Sequence, residues 1–73
     1  MAKLNRIKIV LAERDLTNKW LADKLRKDQA TVSKWTINTS QPSLQVLLDI
    51  AAALDVPVQE LVRQEEYNQE IKD

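Results

Sequence analysis

None of the 73 positions of this chain is a glycine. A residue with a Cβ enters positive φ only at a cost, so glycine is the usual occupant of tight hairpin turns and left-handed helix ends. A chain without any, and with only two prolines, is expected to be built from helices with short connections. A fold of this length buries only about 60% of its unfolded surface and cannot support two cores, which predicts one small module. At 44% apolar and 30% charged residues, the composition is that of a soluble globular domain. Cysteine and histidine are both absent, which removes disulfides, thiolate nucleophiles, zinc-finger ligands and the commonest general base together. The expectation is a protein that is not an enzyme and carries no metal or cofactor. Met1 to Arg6 leads into no continuous apolar stretch or cleavage site, and no run approaches a bilayer span, so a cytoplasmic location is expected.

Apolar spacing divides the chain into five predicted helices. Leu4, Ile7, Val10 and Leu11 fall within about a third of a helical circle and leave Ile9 off the stripe. Asp15-Leu16-Thr17 breaks the pattern, and Thr17 is placed to cap a second helix whose inward residues are Leu21, Ala22 and Leu25, with Trp20 on the other side. Asp28 is placed to cap a third helix running from Gln29 to about Thr36. Val32 and Trp35 face inward there, leaving Gln29, Ala30, Ser33 and Lys34 outward. After a loop from Ile37 to Gln41, Pro42-Ser43 introduces a fourth helix, Leu44 to Leu54, whose inward stripe reads as Leu44, Leu47, Leu48, Ala51 and Leu54. Pro57 opens a fifth that packs Val58, Leu61 and Val62. This places a domain at residues 1–63 and a polar extension at 64–73, either a fraying helix or a partner contact through Tyr67 and Ile71.

The formal net charge is zero, yet its distribution is polarised. Residues 1–41 hold nine Lys or Arg against four acids, a balance of +5, and residues 42–73 hold two against seven, a balance of −5. Screening confines the field to about 8 Å at physiological salt, so the first half can present a basic face whatever the total.

Two short helices three residues apart, the second exposing small polar groups at its N-terminal end, have the layout of a helix-turn-helix. A B-DNA major groove admits one helix, and Gln, Ser and Lys donate or accept in the plane of base edges while Ala packs on the thymine methyl. Gln29, Ala30, Ser33 and Lys34 have that chemistry, and Asn18 and Lys19 stand at the positively polarised start of the preceding helix.

The stretch Thr17-Asn18-Lys19-Trp20-Leu21-Ala22-Asp23-Lys24-Leu25, followed by Ala30-Thr31-Val32-Ser33-Lys34-Trp35 and Gln41-Pro42-Ser43-Leu44, resembles the Cro and phage-repressor type of helix-turn-helix domain from about Arg6 to Val62. The resemblance implies an all-α, five-helix, lambda-repressor-like DNA-binding domain with its helix-turn-helix at helices two and three. It implies base reading by Gln29, Ala30 and Lys34, with Ser33 or Thr31 secondary, and backbone contacts from Asn18, Lys19, Lys27, Thr31, Asn38, Thr39 and Ser40. Two positions depart from the family pattern. Arg26 stands where the turn usually has glycine and must become left-handed or reshape the turn, and Asn38 is placed to supply the second left-handed residue after the recognition helix.

The function this implies is a sequence-specific transcriptional regulator, with repression as the expected output, that binds double-stranded DNA as a homodimer over two half-sites. A different class is an antitoxin-like protein-interaction module working through the acidic half. Paired carboxylates such as Asp49 with Asp55 lack a pocket or a base and do not make a hydrolase. Trp20 reads as an edge packer or an interface anchor.

Overall fold

The computed structural model describes residues 3–64 and residue 68, so Tyr67 and Ile71 of the polar extension lie outside the described residues. Between residues 3 and 63 the described residues form four α-helices in order: α1 (Ile7–Glu13), α2 (Asn18–Leu25), α3 (Gln29–Thr36) and α4 (Leu44–Leu54). A single 3-10 turn, Val58–Leu61, stands where a fifth helix was expected. No helix among the described residues is long and apolar enough to cross a membrane.

Each of the four helices is followed within two residues of its end by a residue with left-handed φ, and none of the four is glycine. Asp15, Arg26, Asn38 and Asp55 have φ of 56°, 57°, 61° and 55°. In every case the next amide reaches back to the carbonyl five residues earlier: Leu16 to Leu11, Lys27 to Ala22, Thr39 to Lys34 and Val56 to Ala51, at 2.9 to 3.0 Å. This is the hydrogen bond that satisfies the last free carbonyls of a helix, and glycine usually makes it inexpensive. Asp and Asn tolerate the left-handed region better than other residues with a Cβ, which leaves Arg26 the costliest of the four.

The helix starts follow the sequence reading. Thr17 accepts the Trp20 amide through Oγ1 at 3.0 Å, Asp28 accepts the Thr31 amide at 2.6 Å, and Ser43 accepts the Val46 amide at 3.2 Å. Each satisfies an amide that the first turn leaves without a partner.

Ile7, Val10, Leu11, Leu21, Val32, Ile50, Leu54 and Leu61 form the centre of the core, all at 3% exposure or less, with Trp35 and Ala51 beside them. Two expectations need correction here. Leu44 and Leu48 are 73% and 50% exposed, whereas Ile50 is fully buried, so the inward stripe of α4 is Leu47, Ile50, Ala51 and Leu54. Nearly every residue of α4 except Gln45 and Asp49 is apolar, so periodicity establishes an amphipathic helix without fixing which apolar residues face in. At about 100° per residue, Leu48 lies roughly 110° from the centre of the true stripe.

The second correction concerns both chain ends. Leu4 is 40% exposed and lies outside α1, because the preceding segment is extended and Asn5 pairs with Val62 in an isolated antiparallel bridge. The Arg6 amide donates to the Leu61 carbonyl at 2.8 Å, and the Arg63 amide donates to the Leu4 carbonyl at 2.9 Å. Val62 is therefore extended, at φ −122° and ψ 154°, and the turn after Pro57 cannot continue as an α-helix.

Candidate nucleic-acid interface

Burial on one side of α3 dictates what its other side presents. Val32 and Trp35, at 0% and 6% exposure, root the helix in the core. Gln29, Ala30 and Lys34 are exposed, and Ser33 and Thr31 are half-buried. The outward surface is thus polar or small, and its N-terminal turn is capped by Asp28. Hydrogen bonds from Thr31, first its side chain and then its amide, hold the Asp28 carboxyl below its ordinary value, with Lys34 adding a smaller coulombic contribution.

α2 is fastened to α3 at two places. Asn18 donates through Nδ2 to Ser33 Oγ and to Thr36 Oγ1, both at 3.3 Å, while Thr36 Oγ1 donates to the Ser33 carbonyl at 2.9 Å. Left-handed Arg26 makes the other fastening, turning the chain so that Lys27 and Asp28 can start α3. Asn18 is half-buried and its amide hydrogens are directed at α3, so its side-chain donors fix the angle between the two helices, and the backbone contact that the resemblance implied does not fit these donors.

Lys19 and Lys27 are exposed, and Lys19 Nζ lies 3.1 Å from Asp23 Oδ2 in an i,i+4 pair whose side chains are both about 70% exposed. A pair so exposed is worth only a few tenths of a kcal/mol, so Asp23 presents little competition to another anion. Trp20 is half-buried against the core and carries Lys24 Nζ 5.8 Å from its ring centroid, which makes it an edge packer with a cation over its face.

Thr39 and Ser40 are exposed in the loop after α3. Asn38 differs from both. Only 9% exposed, it accepts the Asn5 amide at Oδ1 (2.9 Å) and donates through Nδ2 to the Asn5 carbonyl (3.2 Å), with Gln41 Nε2 also donating to Oδ1 (3.2 Å). Asn5 Nδ2 in turn donates to the Trp35 carbonyl and to Gln41 Oε1, at 2.9 and 2.7 Å. The Asn38 side chain therefore points into the protein, and a backbone contact through it, as the resemblance implied, does not fit this geometry. Its place is that of a residue that shapes the loop displaying Thr39 and Ser40. Sequence reasoning missed Asn5 and gave Gln41 a place in the loop motif but no part in this network. An asparagine near a chain end reads as surface until its partners, 30 to 36 residues away, are known.

The helix-turn-helix family model matches residues 7–61. The chain belongs to this family, of the Cro and phage-repressor type. A crystal structure of a Bacteroides fragilis protein provisionally described as DNA-binding is 48% identical, covering 82% of this chain and 97% of its own, with a TM-score of 0.81. No curated protein matches the chain.

Proposed function

We propose that this protein is a sequence-specific DNA-binding transcriptional regulator, without enzymatic activity, that reads the major groove with α3 and acts as a repressor by occupying its site. The observation that carries this reading is the outward face of α3. Gln29, Ala30 and Lys34 are exposed together on a helix rooted by Val32 and Trp35, in a chain of the helix-turn-helix family. A single helix of this size reaches only a few base pairs, so useful specificity calls for a homodimer on half-sites about 34 Å apart.

In this reading Gln29 and Lys34 hydrogen-bond base edges, Ala30 packs on a thymine methyl, and Ser33 adds a secondary contact. Lys19, Lys27, Thr31, Thr39 and Ser40 meet phosphates, with Asn18 and Asn38 holding the two ends of the unit in place. The description of the similar Bacteroides fragilis protein supports DNA as the partner.

Selection of bound duplexes from a random pool, followed by titration of the winner, tests the proposal. Two inverted half-sites are expected, with two chains bound per duplex. Gln29→Ala should lose about 1–3 kcal/mol on the selected duplex and little on random DNA, whereas Lys27→Ala should weaken both alike. Equal loss on both for Gln29→Ala would remove base reading from α3.

A further inference from the structure

The bridge between the chain ends collects cations that are far apart in sequence. A cavity of about 300 Å³ opens beside it, bordered by Lys3, Arg6, Lys8 and Arg63. Its inner surface includes Asn5, Thr36 and Asn38, and no carboxylate is among the described residues that line it. Arg63 belongs by sequence to the acidic half of the chain, and only the Asn5 to Val62 pairing brings it here.

Both arginines are anchored by backbone carbonyls. Arg6 Nη1 donates to the Glu60 carbonyl and Arg63 Nε to the Asn5 carbonyl, each at 3.1 Å. Each guanidinium is thereby tied to the backbone beside the cavity, and neither Lys3 nor Lys8 pairs with a carboxylate among the described residues. Lys3, Arg6 and Lys8 bring like charges to one concave space, where they repel each other. A doubly charged ligand with several acceptor oxygens relieves that repulsion and suits guanidinium and ammonium donors alike.

We infer that this cavity binds a phosphate group. Two sources supply that chemistry. Because Thr36, Ile37 and Asn38 at the end of α3 also line the cavity, a DNA backbone phosphate beyond the helix-turn-helix contacts is one. A free phosphorylated small molecule, with Ile9 and Ile37 as an apolar wall for the rest of it, is the other. The inference does not require DNA binding, since the free anion can be tested alone.

The test uses the full chain, labelled with ¹⁵N and titrated with inorganic pyrophosphate at constant ionic strength set by sodium chloride. Saturable shifts of the Asn5, Ile37 and Asn38 amides are expected, weakened about two- to fivefold for each cation removed in a Lys3→Gln/Lys8→Gln variant and unchanged in Lys24→Gln, which removes a charge outside the cavity. A second arm measures the salt dependence of duplex binding. A slope shallower by about 0.9 for each lost phosphate contact in the double variant, beyond any change in Lys24→Gln, assigns the phosphate to the DNA backbone. Saturable shifts with an unchanged slope assign it to a free ligand. The inference is overturned if pyrophosphate produces no saturable shifts and the double variant keeps the slope of the Lys24→Gln control. If no duplex binds any variant, the pyrophosphate titration decides by itself.

Discussion

Asn5 and Asn38 hydrogen-bond reciprocally across 33 residues, with the side-chain amide of Asn38 taking both backbone groups of Asn5 as a neighbouring strand would. The arrangement lets one residue serve two ends of the fold. Its left-handed backbone stops α3, and its side chain satisfies buried polar groups that α1 does not reach.

Replacing Asn38 separates those roles. Asn38→Ala leaves the Asn5 amide and carbonyl buried with fewer partners and forces alanine to positive φ, for an expected loss of about 2–4 kcal/mol. Asn38→Gly keeps the backbone comfortable and loses only the hydrogen bonds, so its cost should be smaller by about 1 kcal/mol. Urea denaturation of the two variants measures the difference, and equal losses would show that backbone conformation is unimportant there.

At Arg26 the expectation has the opposite sign. Its φ of 57° and ψ of 42° suit glycine, so Arg26→Gly should stabilise the fold by about 0.5–1 kcal/mol after allowing for the looser unfolded chain. A thermal midpoint that falls would mean that contacts of the arginine side chain outweigh its backbone cost.

Asp28 makes a prediction in pH. Its folded pKa is depressed below the ordinary 3.8 by the Thr31 hydrogen bonds, so its contribution to stability is fully present above that value and is lost as pH falls through the folded value. Asn caps a helix nearly as well as Asp but does not titrate. Wild type should therefore lose stability relative to Asp28→Asn as pH drops below about 4, and denaturation midpoints that run parallel down to pH 2.5 would contradict it.

The corrected phase of α4 is open to a direct comparison. Ile50→Ala, in the fully buried site, should cost about 2–4 kcal/mol, whereas Leu48→Ala, half exposed, should cost less than about 1 kcal/mol. Similar losses at the two positions would restore the original stripe.

These cases mark how far the sequence carries. Caps and turns were legible, because Thr17, Asp28 and Ser43 each act on the amide three residues away and their chemistry names their position. The outward face of α3 was legible too, since Val32 and Trp35 are its only large apolar residues and leave one choice of phase. α4 offered no such contrast. The Asn5, Asn38 and Gln41 network and the cation cavity depend on residues brought together from both chain ends, which no local pattern encodes.

The pairing of Asn5 with Val62 and Arg63 has a kinetic consequence. It draws the domain into a ring, joining groups 58 residues apart in the chain. The entropy of closing so long a loop is lost before its few hydrogen bonds are gained, and every shorter contact made first shrinks that loss. The clasp should accordingly be the last part of the native structure to form and the first to open, and the amides of Arg6 and Arg63 should exchange with solvent well ahead of those in the core helices.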